Sequence, residues 1–368
     1  MDGQPLLGVK SGIGRYTEML YRTLTKDFGV DVTLSLNRIL KTPKLDPASF
    51  PQWINHRYPY KLIRRILRPN PLYAWPADAC SRVCFDVYHG TNFTHLPLTK
   101  GKVIVTIHDL SFLLFPEHTS NIIYKHHSRW VPYAAKVSDH IIAVSEQTKQ
   151  DIIRLLGISP DKISVVYLSA NERFVPLPEA EYLPVIKKYK LPAKYILFVG
   201  NIEPRKNLPG LIRAFHAIKN AVEEKLVIVG AKAWKSSPIF DLVRELELMD
   251  FVHFTGYVDD ADLPAIFNGA SVLVLPSFYE GYGLPLIEAM RCGVPVVGSN
   301  VSSIPEIIGD AGFLVDPHNI EELSDAIKQM VGSSTTHRHY SQLALQRAAH
   351  FSWRKTAQQT LEVYMKVI

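Results

Sequence analysis

Two acidic residues separated by seven positions flank a glycine-rich turn in Phe278-Tyr-Glu280-Gly281-Tyr282-Gly283-Leu284-Pro285-Leu-Ile-Glu288. A turn of this kind, following a strand and opening a helix, is suited to an anion. The helix N-terminus presents backbone N–H groups and the positive end of its dipole, and the glycines let a ligand approach the main chain. Pro285 fits a first helical position, where its missing N–H removes nothing needed. The spacing lets one carboxylate face each end of a nucleotide-like ligand. Taken singly, Glu280 could merely complement the dipole and Glu288 could lie on a solvated helix face.

Arg205-Lys206 supplies two cations after another strand and turn. Beside a diphosphate they would stabilise charge that grows as a bond to the leaving phosphate breaks, without a metal. His108 closes the apolar run Val103–Ile107 and precedes Asp109; it is either a satisfied structural histidine or a group that orients a substrate hydroxyl. Gly12-Ile-Gly14 lacks the third glycine and the preceding strand of a dinucleotide fingerprint, so no NAD site is expected. Asp259-Asp260-Ala-Asp262 contains a D-x-D, but helix capping ahead of Leu263-Pro-Ala-Ile-Phe267 accounts for it. Glu117, His118, His126 and His127 have no metal-ligand spacing and are expected on loop or helix surfaces.

These groups require a scaffold. Short β-branched runs alternate with helical patterns, which argues for parallel α/β architecture. Expected strands are 103–107, 140–144, 163–168, 195–199, 226–229 and 272–275. Near-continuous apolar strands imply sheets covered on both faces, whose ligands bind at the strands' carboxyl ends. Four prolines between Asn171 and Ala193 mark a connection, and the domain boundary is placed near 185, giving domains 1–185 and 186–368. The last helix, roughly 353–367, could pack on either. Met1-Asp-Gly-Gln-Pro-Leu-Leu-Gly8 looks like the exit of a strand, so the first strand is expected to be truncated or to begin upstream.

Length and composition agree with two soluble domains: 368 residues, 47% hydrophobic and 21% charged. Cys80, Cys84 and Cys292 offer neither a disulfide framework nor a zinc motif. With no apolar stretch of spanning length and no signal-peptide layout, a cytoplasmic location is expected. The net charge of +6 lies wholly in residues 1–185, which hold 22 Lys and Arg against 16 acids, while 186–368 hold 19 of each. Within the first half, Arg57 to Arg68 carries Lys61, Arg64, Arg65 and Arg68 among apolar residues and no acid. Such a segment is either a solvated helix face or an anchor on the anionic inner face of a membrane. No nucleic-acid-binding pattern is present.

The stretch Glu280 to Glu288 resembles the E-x7-E motif of glycosyltransferase family 4, retaining nucleotide-sugar enzymes of the GT-B fold. The resemblance extends from Gly12-Ile-Gly-Arg-Tyr16 through His108-Asp109, Ala143-Val-Ser145 and Gly200-Asn-Ile-Glu-Pro-Arg205-Lys206-Asn207 to Gly293-Val-Pro-Val-Val297 and Gly312-Phe-Leu-Val-Asp316. It implies two Rossmann-like, doubly wound domains facing each other across a cleft, the second binding the sugar nucleotide. By the same resemblance Glu280 contacts hydroxyls of the transferring sugar and Glu288 the ribose. Arg205 and Lys206 then hold the diphosphate, His108 contacts the transferred sugar or the acceptor, and Gly12 and Gly14 approach the diphosphate from a first-domain loop. Tyr282, Gly283 and Leu284 line the anion turn, and the backbone near Val258 meets the base. Where many members carry an Arg after the first glycine of the second domain, this chain has Asn201. The likeness to bacterial polysaccharide-assembly members implies a hexose donor, with GDP-mannose favoured, and a glycan or lipid-linked glycan acceptor. It also implies no metal or other cofactor. A sugar-nucleotide epimerase of the same fold, or a non-catalytic sugar-nucleotide-binding protein, is the alternative.

Overall fold

A computed structural model describes residues 1–7, 12–38, 44–56, 85–96, 101–231 and 237–368. The chain divides into two compact units, Met1–Leu168 together with Trp353–Ile368, and Ser169–Ser352. The division falls at 168/169 rather than near 185. The proline-rich connection carries apolar anchors that commit it to the second unit: Phe174 and Ile186 are buried, and Phe174 meets the Phe267 ring edge-on at 5.6 Å. Its helix Glu179–Lys188 packs on Leu263–Asn268, and the Leu177 N–H donates to Asn268 Oδ1 at 2.7 Å.

In the first unit, β1 (Leu34–Leu36) pairs with β2 (Trp53–Asn55), and β3 (Val87–Gly90), β4 (Lys102–Ile107), β5 (His140–Ala143) and β6 (Ile163–Val165) form a parallel sheet in sequence order. Met1–Gly3 lies in the lane between β1 and β3. Ser35 N–H donates to the Met1 carbonyl and Gly3 N–H to that of Ser35, while Asp2 N–H donates to the His89 carbonyl on the other side. The opening residues thus pair as a strand does on both edges.

Helix Gly12–Asp27 and the final helix Trp353–Val367 pack together in this unit. A buried polar chain fixes both to the sheet: Tyr364 OH to His89 Nδ1 at 2.7 Å, His89 Nε2 to Thr106 Oγ1 at 2.7 Å, and Thr106 Oγ1 to Tyr16 OH at 2.9 Å. Each group in this buried chain has a partner, the condition under which buried polar groups specify one arrangement.

The second unit has a six-stranded parallel sheet in the order β12-β11-β10-β7-β8-β9, formed by β7 (Tyr195–Val199), β8 (Lys225–Val229), β9 (Val252–Gly256), β10 (Val272–Leu275), β11 (Val296–Ser299) and β12 (Gly312–Val315). β7, β10 and the apolar length of β8 are fully buried, as continuous apolar strands between two helical layers must be. Strand order reverses between β7 and β10, and their carboxyl ends open a crevice there. At its floor the backbones of the β7 and β8 loops touch: a Cβ on Gly230 would lie 1.9 Å from the Gly200 carbonyl oxygen, so only glycine fits.

Burial first of all holds His89 near pKa 3, far below the usual 6.5. Because the folded value is depressed, the stability this neutral ring contributes is fully present above pH 6.5 and is lost as pH falls toward 3, with a slope of about 1.4 kcal/mol per pH unit. Urea midpoints measured from pH 7 to pH 4 should fall more steeply for the wild type than for His89→Gln; equal slopes would show that His89 is not held neutral.

Candidate active site

The two loops that leave the sheet on either side of the strand-order reversal carry the charged residues. After β7, Pro204–Lys206 forms a single 3-10 turn ending in Asn207, whose left-handed backbone (φ 53°) starts the helix Leu208–Ile218. After β10, Pro276 to Gly283 leads to the helix Leu284–Arg291. Gly283, at φ 98°, makes the turn into that helix in a conformation that glycine alone adopts freely. The Phe278 N–H donates to the Arg205 carbonyl at 3.0 Å, joining the loops through their backbones.

Glu280 stands at the centre. Its Oε1 accepts from Lys206 Nζ at 2.5 Å and from the Ser277 hydroxyl at 2.7 Å, and its Oε2 pairs with Arg205 Nη1 at 3.2 Å. Arg205 also donates to the Tyr279 carbonyl and, through Nη2, to Glu203 at 2.8 Å. The Glu280, Arg205 and Lys206 side chains keep 7%, 16% and 12% of their surface. Burial alone would push the Glu280 carboxyl up, but the neighbouring Lys206 and Arg205 charges and the hydrogen bonds from Lys206 and Ser277 hold it near 2. It is a permanent carboxylate in the physiological range. An ammonium has three donors, and the bond to Glu280 uses one of those of Lys206.

The end of β11 and the loop after it buttress this turn with hydroxyls. Ser299 donates to the Ser277 carbonyl at 2.6 Å, Ser302 accepts from the Glu280 N–H at 2.9 Å and donates to the Glu280 carbonyl, and the Ser303 hydroxyl lies 3.0 Å from the carbonyls of both Glu280 and Tyr282. Sequence reasoning missed Glu203, Ser277, Ser299, Ser302 and Ser303. The one signal was Ser-Ser-Ile-Pro-Glu, which reads as a helix cap; here Ser303 occupies the N-cap position without capping, because its hydroxyl is spent on the neighbouring loop. The ring of Phe278 stacks on His318 at 4.8 Å, another pair no motif announced.

The other expected donor-site residues lie in the same unit. Glu288 is buried in helix Leu284–Arg291, and after burial itself its charge is the next influence raising the Cys292 thiol to about 12. Tyr282 is buried. Asn201 is exposed after β7, and Val258 is buried just after β9.

In the first unit His108 follows β4 at its carboxyl end. Its Nε2–H donates to the Thr91 carbonyl at 2.8 Å, and its ring meets Tyr16 and Phe93 at 5.2 and 5.4 Å. The carbonyl fixes the proton on Nε2, so Nδ1 carries the ring's acceptor lone pair. Burial lowers the His108 pKa, outweighing the Thr91 hydrogen bond and Asp109.

Three expectations need correction. Gly12 and Gly14 sit in the first turns of helix Gly12–Asp27, Gly14 buried, and not in a loop; residues 8–11 before them lie outside the described residues. Asp262 stands at the N-cap of Leu263–Asn268 without a capping bond; its carboxylate instead takes Lys188 Nζ at 2.6 Å and Tyr189 OH at 2.8 Å, a charge-assisted pairing that is stronger than a bond to a neutral amide. His127 is half-buried rather than fully on its helix surface: its ring packs between Phe93 and Phe112 at 5.0 and 5.2 Å, and burial lowers its pKa. Cys80, Cys84 and the basic segment with Lys61, Arg64, Arg65 and Arg68 lie outside the described residues. Among the described residues no helix is long and apolar enough to cross a membrane, and no group of three or more metal-ligating side chains gathers.

The fold is GT-B. Sucrose-phosphate synthase from Thermosynechococcus elongatus aligns at a TM-score of 0.78 with 20% identity, covering 99% of this chain and 96% of that one. WaaG, a glycosyltransferase involved in lipopolysaccharide biosynthesis, aligns at 0.74 with 15% identity over 97% of each. Residues 10–171 match the model described as Glycosyltransferase Family 4, and residues 184–347 the model of glycosyl transferases group 1. The O-antigen chain mannosyltransferase B of Escherichia coli is 35% identical over 281 residues, 76% of this chain and 74% of the relative. Another relative, the Escherichia coli serotype-specific mannosyltransferase WbdA, is 31% identical over 63% of this chain but only 29% of its own length. The chain belongs to glycosyltransferase family 4 and is a glycosyltransferase.

Removing one member of a buried ion cluster leaves the others uncompensated. Lys206→Met should lower the stability of the second unit by about 3 kcal/mol in chemical denaturation and move the Glu280 carboxyl upward from about 2. Unchanged stability would mean that the Lys206 pair is not formed in solution.

Proposed function

We propose that this enzyme transfers mannose from GDP-mannose to a hydroxyl of a glycan or lipid-linked glycan in polysaccharide assembly, with retention at the anomeric carbon. The observation that carries the reading is the Lys206–Glu280–Arg205 cluster at the strand-order reversal, beside the Gly281–Gly283 turn and its helix N-terminus. It offers cations and backbone donors for a diphosphate and a fixed carboxylate for sugar hydroxyls, with Glu288 assigned to the ribose. The names of the O-antigen relatives support mannose as the sugar and a growing polysaccharide as the acceptor.

In the proposed step the bond between the anomeric carbon and the diphosphate oxygen breaks as the acceptor oxygen bonds to that carbon on the same face. The acceptor proton passes to the departing phosphate oxygen, and the nucleoside diphosphate leaves. Arg205 and Lys206 stabilise its growing charge. Three donors already engage the Glu280 carboxylate, which makes it a poor nucleophile and favours this route over a double displacement. His108 Nδ1 would accept from a sugar or acceptor hydroxyl. The step as proposed needs no metal or other cofactor.

Calorimetry with GDP, UDP and ADP, then with their sugar conjugates, in EDTA and in divalent metal, should show preferred binding of GDP and GDP-mannose that EDTA leaves intact. UDP preference would replace the donor, and EDTA sensitivity would replace the metal-free step. Glu280→Ala should reduce turnover by about 10²- to 10³-fold in a protein that still melts cooperatively; near-normal turnover would remove Glu280 from the mechanism.

We further propose that the protein works on the cytoplasmic face of a membrane, held by its basic segment. Wild-type protein should co-sediment with vesicles containing phosphatidylglycerol at low salt and be released at high salt, and Lys61, Arg64, Arg65 and Arg68 changed together to Gln should abolish it. Binding that survives those four changes would locate the contact elsewhere.

A further inference from the structure

Ser302 has a backbone that a serine adopts only at a cost. Its φ is 62°, in the left-handed region, where a non-glycine residue is strained. A glycine would carry no such cost. The offset is visible in its side chain. The Ser302 hydroxyl accepts from the Glu280 N–H at 2.9 Å and donates to the Glu280 carbonyl, so one side chain holds both polar groups of a single residue in the opposite loop. Ser303, fully buried, adds a second hydroxyl to the same carbonyl. The net gain of two hydrogen bonds is of the same size as the strain. The fold therefore has little to gain from serine over glycine here, while the orientation of Glu280 has much.

We propose that Ser302 is a positioning residue of the transfer reaction: it acts through Glu280, latching that residue's peptide so that its carboxylate stays seated between Lys206 and Arg205, where the donor sugar meets it. The latch sets the position of the β10 loop from the β11 loop, across a register that the sheet alone does not fix. Loop backbone between Ser277 and Gly283 belongs to no strand or helix, so side-chain bonds must supply the rigidity that a ladder would. The proposal rests on the donor-site reading for its catalytic consequence, whereas the latch itself is observable without any ligand.

Three variants and four measurements separate the possibilities. In Ser302→Gly the strain and both bonds vanish together. Its melting temperature should stay within a few degrees of the wild type, its turnover should fall at least 10-fold, and its affinity for GDP alone should change less than twofold. In Ser302→Ala the strain remains while the bonds go, so the same loss of turnover should come with a lower melting temperature. Ser303→Ala should lose less turnover than Ser302→Gly, since it leaves the Glu280 N–H bonded. Hydrogen–deuterium exchange of the peptide spanning Glu280, without ligand, should be at least 10-fold faster in Ser302→Gly. Unchanged exchange would overturn the latch whatever the donor proves to be. Faster exchange with wild-type turnover would overturn the positioning role, and so would loss of GDP affinity in parallel with turnover, which marks a merely structural residue. Faster exchange in a protein whose wild type binds no nucleoside diphosphate would leave the latch standing and overturn the donor-site reading.

Discussion

The arrangement of the second unit turns on a single shared carboxylate. Glu280 is taken by Lys206, Arg205 and Ser277 at once, and this joins loops from the two strands between which the sheet order reverses. An anion withdrawn from water is costly unless its oxygens are fully engaged. Both loops must therefore approach closely enough to surround it, and the backbone bond from Phe278 to Arg205 follows from that approach. The same pairing keeps the carboxyl ionised and the cations in place. Preorganisation of this kind lowers the reorganisation needed when charge develops.

A second layer of neutral groups holds that cluster. Ser299, Ser302 and Ser303 tie the end of β11 and its loop to the loop after β10 through hydroxyl-to-backbone bonds, and Ser277 bonds the Glu280 carboxylate within that loop. Hydroxyls suit this task because each can accept and donate on a short stem, with little side-chain freedom to lose. The first unit uses a comparable device with different residues. There His89 bridges the sheet to the final helix through Tyr364, and Thr106 extends the chain to Tyr16, whose ring edge meets His108. The imidazole that faces the strand ends is thereby braced by groups that titrate far from neutrality.

Much of this was legible in residue types and spacing. Continuous apolar runs announce buried parallel strands: 195–199 and 272–275 appear as expected. The glycine turn before Pro285 and the Arg205-Lys206 pair are local signals as well, because an anion site at a strand's end needs flexible backbone, a helix start and fixed cations. Less was legible where a segment's polarity masks its anchors. The stretch after Leu168 has the prolines of a linker, yet Phe174 and Ile186 bind it to the second unit. Asp262 has the position of a cap, yet Lys188 and Tyr189 take its carboxylate.

By itself, then, the sequence determined the alternating α/β architecture, six of the twelve described strands and the identity of the charged residues at their ends, since hydrophobic period, turn chemistry and charge are properties of neighbouring residues. Only the tertiary structure decided what those charges do to one another. Lys206 and Glu280 are 74 positions apart in the chain, and Ser302 lies 22 beyond Glu280; nothing local couples them. Hydroxyl–backbone bonds have no sequence period, and a serine that latches a distant peptide reads the same as one that caps the next helix. The strand order that brings the two loops together is set by the packing of helices on both faces of the sheet, a constraint written across the whole domain and visible in no short stretch of it.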